Sequence, residues 1–157
     1  MQCFLSDEQS TLDAGAAIGQ LILTLALGIA PGFHVCLDGD LGVGKTTLVR
    51  GVLRGLGYAG RVKSPTYPLL ETYALSGSPF LHFDLYRLES PESFLEAGFA
   101  ELFTGSGVRF VEWPDLAGCY LPPPDWRIFL QHHDCGRHLR IDPLTEAGKK
   151  ALKTLSL

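Results

Sequence analysis

Apolar residues fall at helical spacing in the first stretch of the chain, which predicts a helix as the first element. This helix begins at a capping box of the form S-x-x-Q at residues 6–9, and it ends at Gly28 and the pair 31–32. Thr11 lies in its first turns and, on the residues alone, is expected to be solvated. The positions that set the spacing are Leu12, Ala16, Gly19, Ile22 and Ala26.

An apolar strand beginning at Val35 is followed by a glycine-rich turn and a second helix. The helix has an apolar side opposite Arg50 and Arg54, and Gly55 and Gly57 end it. That side is formed by Leu48, Val49, Val52, Leu53 and Leu56. The pattern predicts a helix that packs on a sheet.

Further along the chain, two pairs of apolar runs with short links predict two antiparallel hairpins. The first pair comprises residues 69–74 and 80–83, and the second comprises residues 126–132 and 137–141. A single strand at 108–111 is predicted between them.

Three other segments complete the predicted order of elements. Residues 61–68 contain two prolines and should form an ordered loop, whereas Ser90 caps a helix that runs to about Gly98. A terminal helix is predicted over 144–155. Together the elements predict one α/β domain over 1–157, with a mostly parallel central sheet and antiparallel hairpin strands.

Composition narrows the classes of protein to which the chain can belong. It has 157 residues, 46% of them hydrophobic, which suits one domain with a sizeable core. A net charge of −4 argues against broad electrostatic binding of nucleic acid. The four cysteines lack C-x-x-C spacing, and the apolar part of the first helix has polar interruptions and no basic segment before it. We therefore expect a reduced cytoplasmic protein that does not enter a membrane.

The turn after the Val35 strand has the complete sequence G-x-x-x-x-G-K-T, which is typical of a loop that binds nucleotide phosphates. Its glycines allow successive backbone N–H groups to face the phosphates, with the positive end of the helix behind them. Lys45 is predicted to reach the β- and γ-phosphates and Thr46 to bind Mg²⁺, in a P-loop NTPase-like three-layer sandwich. The residues predicted to contact ATP are Asp40, Leu41, Gly42, Val43, Gly44, Lys45, Thr46 and Thr47.

Two acidic residues stand at strand ends, where a further group near the metal is expected. Asp84 ends the first hairpin, whereas Glu112 follows a strand reached through a helical connection. We therefore favour Glu112 as the group that holds Mg²⁺, directly or through water, and Asp84 as a group that orients water or a loop. The alternative for either is an acid that caps a helix or faces solvent. Ser64 and Thr66 are candidates for sensing the γ-phosphate, with simple capping of a turn as an equal alternative.

Four motifs occur in order: the phosphate loop, S-P-T-Y at 64–67, H-F-D-L-Y-R at 82–87 and E-W-P at 112–114. With these motifs at these distances, the sequence resembles the bacterial TsaE (YjeE) family over essentially the whole chain. The resemblance implies an ATPase that works with the TsaD and TsaB proteins in forming N6-threonylcarbamoyladenosine beside the anticodon of tRNA. TsaD would carry out the transfer, and ATP hydrolysis would support repeated turnover.

The resemblance also implies roles for individual residues. Thr46 and Glu112 would hold Mg²⁺, and Trp113 would lie near the nucleotide. Thr11 matches a nucleotide-contacting position, and Arg137 matches a basic position near the C-terminal strands. The residues implied in catalysis are Lys45, Thr66, Asp84 and Glu112.

Two other functions are compatible with a phosphate loop. A small-molecule kinase would need a second substrate pocket and usually an arginine-rich lid, and the sequence shows no insertion of that kind. A nucleotide-dependent binding module would bind without turnover. No arginine lies in a motif that identifies it as an internal finger, so hydrolysis by the isolated chain is expected to be slow and to rise with TsaD and TsaB. Direct contact with tRNA is left open.

Overall fold

The computed structural model describes residues 1–26, 32–75 and 79–157, and all elements named below lie in these ranges. The strands are β1 (Gln2–Leu5), β2 (Phe33–Asp38), β3 (Leu70–Ala74), β4 (Pro79–Asp84), β5 (Val108–Glu112), β6 (Trp126–His133) and β7 (Gly136–Pro143). The α-helices are α1 (Glu8–Ala26), α2 (Lys45–Gly55), α3 (Pro91–Glu96) and α4 (Glu146–Thr154). Short 3₁₀ helices cover Leu85–Arg87, Phe99–Phe103 and Pro114–Tyr120.

The described strands form one mixed sheet in the order β1-β7-β6-β2-β5-β4-β3. The four central strands, β6, β2, β5 and β4, are parallel, and both predicted hairpins are present as β3–β4 and β6–β7. The α/β class is confirmed, and the predicted parallel central strands with antiparallel hairpin strands are present in a sheet that is mixed overall. Antiparallel pairings at both edges are as numerous as the parallel ones, because β1 adds to β7. The link inside the first hairpin, 76–78, lies outside the described residues.

The first element is the strand β1 and not the predicted helix. It pairs with β7 at the sheet edge, with Leu5 opposite Arg137. Because β1 ends at Leu5, α1 begins one residue later than its sequence signal suggested. The capping box joins Asp7 and Ser10: the Ser10 N–H donates to Asp7 Oδ1 at 2.7 Å, and the Asp7 N–H donates to Ser10 Oγ at 3.1 Å. The predicted end of this helix at Gly28 lies outside the described residues.

The other predicted helices and the proline-containing loop are in place. Ser90 caps α3, accepting a hydrogen bond from the Ser93 N–H at 3.3 Å, and α4 lies within the predicted terminal segment. Residues 61–68 contain no helix or strand. None of the described helices has both the length and the hydropathy that a membrane span requires.

Two apolar clusters lie on opposite faces of the sheet. One face is covered by α1, α2 and α4, and the other by α3 and the 3₁₀ helices. Alternate residues of β5 take part in each cluster: Phe110 belongs to the first and Val111 to the second. The central strands are therefore buried on both faces, as parallel strands usually are.

Glycines on α1 and α2 allow these helices to approach closely. A Cβ on Gly15 would lie 2.9 Å from Gly51 Cα, and one on Gly19 would lie 3.2 Å from Gly55 Cα. Side chains at these positions would collide with backbone, which cannot move aside as a flexible side chain could. This contact fixes α2, the helix that follows the phosphate loop, against its neighbour.

We predict that Gly51→Ala destabilises the fold by about 1–3 kcal/mol, because overpacking outweighs the better helix propensity of alanine. The added Cβ would collide with the Leu12 carbonyl oxygen. Urea denaturation gives the measurement, and Gln20→Ala, at an exposed position of α1, is the control that should leave stability nearly unchanged. A Gly51→Ala protein as stable as the parent would contradict the steric explanation.

Candidate functional site

Three parallel strands end at one edge of the sheet and bring the predicted site residues together. Leu37 on β2 lies opposite Glu112 on β5, and Glu112 lies opposite Asp84 on β4. Loop 39–44 continues from β2 at the same edge. Because β4 is parallel to β5, both carboxylates lie at the same edge of the sheet. Strand topology therefore does not favour Glu112 over Asp84 as the metal ligand, contrary to the expectation from sequence. Their contacts do separate them.

The loop between β2 and α2 has the backbone that its glycines predict. Gly39, Gly42 and Gly44 have φ values of 143°, 80° and 112°, which other residues rarely adopt. Helix α2 begins at Lys45 and has no acidic residue in its first turn. The N–H groups of that turn have no partner within the helix, so together with the helix dipole they favour binding of an anion.

Lys45 is held beneath this loop, only 4% exposed. Its Nζ donates to the carbonyl oxygens of Gly39 at 2.5 Å and Asp40 at 2.9 Å, and it lies 3.9 Å from the centroid of the Trp113 ring. Burial lowers the pKa of Lys45, although Glu112 and other nearby carboxylates act in the opposite direction. The cation is thus already partly desolvated and bound to neutral acceptors.

Thr46 and Glu112, the two residues predicted to hold Mg²⁺, are in direct contact. The Thr46 hydroxyl donates to Glu112 Oε1 at 2.8 Å, and His82 Nε2 lies 2.8 Å from the same oxygen. Glu112 is 3% exposed and His82 is fully buried. The hydroxyl and the carboxylate are hard oxygen ligands of the kind that Mg²⁺ prefers.

Asp84 instead binds the proline-containing loop. Its Oδ2 accepts hydrogen bonds from the hydroxyls of Ser64 and Thr66, the latter at 2.9 Å, and its Oδ1 accepts one from the Tyr86 N–H at 3.1 Å. The two hydroxyls are also 2.6 Å apart. Asp84 therefore fixes the position of loop 61–68 beside the phosphate loop.

These groups line a single cavity of about 520 Å³, which falls in the size range of small-ligand sites. Tyr67 at its rim is 82% exposed, and the Arg87 guanidinium carbon lies 4.5 Å from the centroid of that ring. Tyr86 packs against Trp113 with ring centroids 5.1 Å apart. The cavity thus combines a positive loop, two carboxylates, hydroxyl groups and aromatic rings.

The residues predicted to bind nucleotide are not all in the cavity. Six of the eight loop residues line it: Leu41, Gly42, Gly44, Lys45, Thr46 and Thr47. The Asp40 side chain is exposed, and Val43 is buried in the core, so its side chain is unavailable to a ligand. Val43 belongs to the apolar cluster that α1, α2 and α4 form with the sheet.

Thr11 and Arg137 contact each other beside Gly44. Arg137 Nη1 donates to Thr11 Oγ1 at 3.0 Å, and a Cβ on Gly44 would lie 2.6 Å from the same nitrogen. Thr11 is fully buried, so the expectation that it is solvated is wrong. The pairing of β1 with β7 brings Arg137 to the start of α1, which covers the threonine.

Comparison with known proteins decides the family. A family model described as Threonylcarbamoyl adenosine biosynthesis protein TsaE matches residues 5–139. The chain belongs to the TsaE family.

Relatives in this family match along most of the chain. The protein named tRNA threonylcarbamoyladenosine biosynthesis protein TsaE from Haemophilus influenzae is 37% identical over 153 residues, which cover 98% of this chain and 96% of the relative. The TsaE protein of a Nostoc species is 36% identical over 145 residues, covering 89% and 84%. The crystal structure of Bacillus subtilis YdiB has a TM-score of 0.76 and 27% identity, covering 98% of this chain and 91% of that one.

Two contacts at this site were not predicted from the sequence. Arg127 donates to both carboxylate oxygens of Asp38 and to Asp115 Oδ1, each at 2.7 Å, and so joins the base of the phosphate loop to the segment after Trp113. No local signal marks this contact, because it joins three separate segments. His82, in contrast, could have been found, since strand alternation places it on the same face as Asp84.

We predict that Asp84→Ala releases the proline-containing loop, because the hydroxyls of Ser64 and Thr66 lose their shared acceptor. Trypsin should then cleave faster after Lys63, which is exposed in the folded chain. Mass spectrometry of a digestion time course identifies the site. Asp13→Ala, at an exposed position of α1, should leave the cleavage rate unchanged. An unchanged rate in Asp84→Ala would show that other contacts hold the loop.

Proposed function

We propose that this chain is a cytoplasmic Mg²⁺-dependent ATPase with a P-loop NTPase-like three-layer fold, acting in tRNA threonylcarbamoyladenosine biosynthesis. The observation that carries the proposal is the direct contact of Thr46 with Glu112 at the first turn of α2, beside a glycine loop that has a buried lysine beneath it. The names of the related proteins support the pathway.

Phosphate binding is assigned to the loop amides and Lys45. The loop offers N–H groups and the positive end of α2, and the close partners of Lys45 among the described residues are two carbonyl oxygens and a ring. A phosphate oxygen is a stronger acceptor for an ammonium group than a carbonyl oxygen, because the bond is charge-assisted. Lys45 therefore moves from the carbonyl oxygens of residues 39 and 40 to the phosphates.

Mg²⁺ binding is assigned to Thr46 and Glu112. The two side chains fit the ion, since both offer hard oxygens at one point of the cavity. When bound, Mg²⁺ neutralises negative charge on the phosphates. Asp84, with its hydroxyl partners Ser64 and Thr66, is assigned to positioning water and ordering the adjacent loop.

Thr11 and Arg137 are assigned to the nucleotide beyond the phosphates. They do not line the cavity, but the guanidinium group of Arg137 lies against Gly44, a residue of the phosphate loop. A positive charge there supports an anion bound by the loop. Thr11 contributes by fixing the orientation of this guanidinium group.

We assign the acceleration of ATP hydrolysis to partner proteins. Among the described residues that line the cavity, Arg87 is the only arginine, and it stacks on the exposed Tyr67 ring. The isolated chain should therefore hydrolyse ATP slowly, and TsaD and TsaB should complete the charge stabilisation or order the loop. Contact with tRNA is assigned to the complex as a whole.

We predict that Lys45→Ala lowers ATP hydrolysis roughly 10²-fold or more, because a group that stabilises transition-state charge is lost. The measurement is phosphate release, by the chain alone and with TsaD, TsaB and tRNA, together with formation of modified tRNA under multiple turnover. Lys150→Ala, an exposed lysine on α4, is the matched control.

Each alternative function has its own outcome in this experiment. Transfer of phosphate to an added small acceptor instead of water would identify a kinase, and binding without phosphate release in the full system would identify a binding module. Equal turnover by the isolated chain and the complex would contradict activation by partners. Unchanged hydrolysis by a folded Lys45→Ala protein would contradict the assignment of the phosphate loop.

We predict that Glu112→Gln weakens Mg²⁺-supported nucleotide binding at least about tenfold, and more than Asp84→Asn does, while both lower turnover. A metal ligand acts in the ground-state complex, whereas a group that positions water acts mainly in the transition state. Calorimetric titration with and without Mg²⁺ separates the two effects. The reverse ranking would assign the metal to Asp84.

A further inference from the structure

We propose that His82 is a positioning residue that fixes the orientation of the Glu112 carboxylate for the metal ion. This inference rests on the proposed function, since it deepens the assignment of Glu112 to Mg²⁺. His82 has no role in the proposed binding of Mg²⁺ by Thr46 and Glu112, although this histidine lies in the H-F-D-L-Y-R sequence near Asp84.

Strand geometry explains how His82 reaches Glu112. Residues 80, 82 and 84 of β4 share one face, and His82 lies opposite Phe110, two residues before Glu112 on β5. Diagonal neighbours on paired strands are within reach of a ring. The Nε2 atom lies 2.8 Å from Glu112 Oε1, and the ring is fully buried.

The hydrogen bond fixes which ring nitrogen carries the proton. A carboxylate oxygen only accepts, so Nε2 carries the proton and donates. The buried Nδ1 has no partner among the described residues. A buried polar atom without a partner costs stability, and an apolar side chain at this position would avoid that cost. The bond to Glu112 is the compensating contact that the structure offers for a histidine here.

The two oxygens of Glu112 have different surroundings. Oε1 accepts from both His82 and Thr46, whereas Oε2 has no hydrogen bond to the described residues, and Glu112 lines the cavity. Thr46 is shared with the metal under the proposed function, so His82 is the donor assigned to Glu112 alone. A fixed donor behind a ligand is a common means of orienting metal ligands.

The test is a calorimetric titration of the full chain with ADP, in Mg²⁺ and in EDTA, which reads binding without turnover. His82→Leu should reduce the gain in ADP affinity that Mg²⁺ gives by roughly 10–100-fold, with the affinity in EDTA unchanged. His82→Gln, which retains an N–H donor of similar reach, should keep most of the gain.

The matched control is His34→Leu. His34 is also buried with an unpartnered Nδ1, but it lies near the start of β2, at the opposite end of the strands from the site. Its loss should lower stability without changing the Mg²⁺-dependent gain. A purely structural role for His82 would make the two leucine variants behave alike.

A folded His82→Leu protein that keeps the full Mg²⁺-dependent gain in ADP affinity would overturn the positioning role alone. A parent protein whose ADP affinity is the same in Mg²⁺ and in EDTA would overturn the proposed function as well. If His82→Leu does not fold, two-dimensional ¹H–¹⁵N spectra of the parent histidine rings decide the question. The proposal requires a proton on His82 Nε2, with a resonance that shifts in Glu112→Gln. A proton on Nδ1 with none on Nε2 would overturn it.

Discussion

The in-register parallel pairing of β2, β5 and β4 is the constraint on which the site depends. It sets Leu37, Glu112 and Asp84 side by side at one edge, so the loop that follows β2 starts next to both carboxylates. A slip of one residue would turn Glu112 to the other face of the sheet, away from Thr46. Burial of the central strands on both faces holds this register, and the close contact of α1 with α2 then sets the position of the helix that carries Thr46.

Much of this arrangement could be predicted because its signals are local. The glycine loop, the N-cap at Ser90 and both hairpins are encoded in adjacent residues, and the structure contains them where the sequence placed them. The contact between Thr46 and Glu112 was also within reach, since strand ends in a parallel sheet converge. Local chemistry and the direction of neighbouring strands were sufficient for these features.

The features that were missed depend on contacts between distant segments. Strand β1 is too short to show a period, and it exists because β7 offers it an edge. That pairing also explains the burial of Thr11 beside Arg137, which helix periodicity alone could not reveal. The close approach of α1 and α2 at their glycines also depends on distant segments. Taken singly, each glycine predicts only a less stable helix. No run of adjacent residues predicts how closely two helices approach.

The position of Lys45 has a consequence for the kind of ligand that the loop retains. Its ammonium group is already partly desolvated and is bound by two carbonyl oxygens beside an aromatic ring, so an incoming anion exchanges contacts instead of adding them. Under the proposed function, this exchange favours a ligand with several negative charges at one point, because charge-assisted bonds replace bonds to neutral carbonyl oxygens. When such a ligand leaves, Lys45 donates to the two carbonyl oxygens again, which lowers the free-energy cost of emptying the site. Under the proposed function, the loop therefore selects its ligand by charge density and releases it at a low free-energy cost.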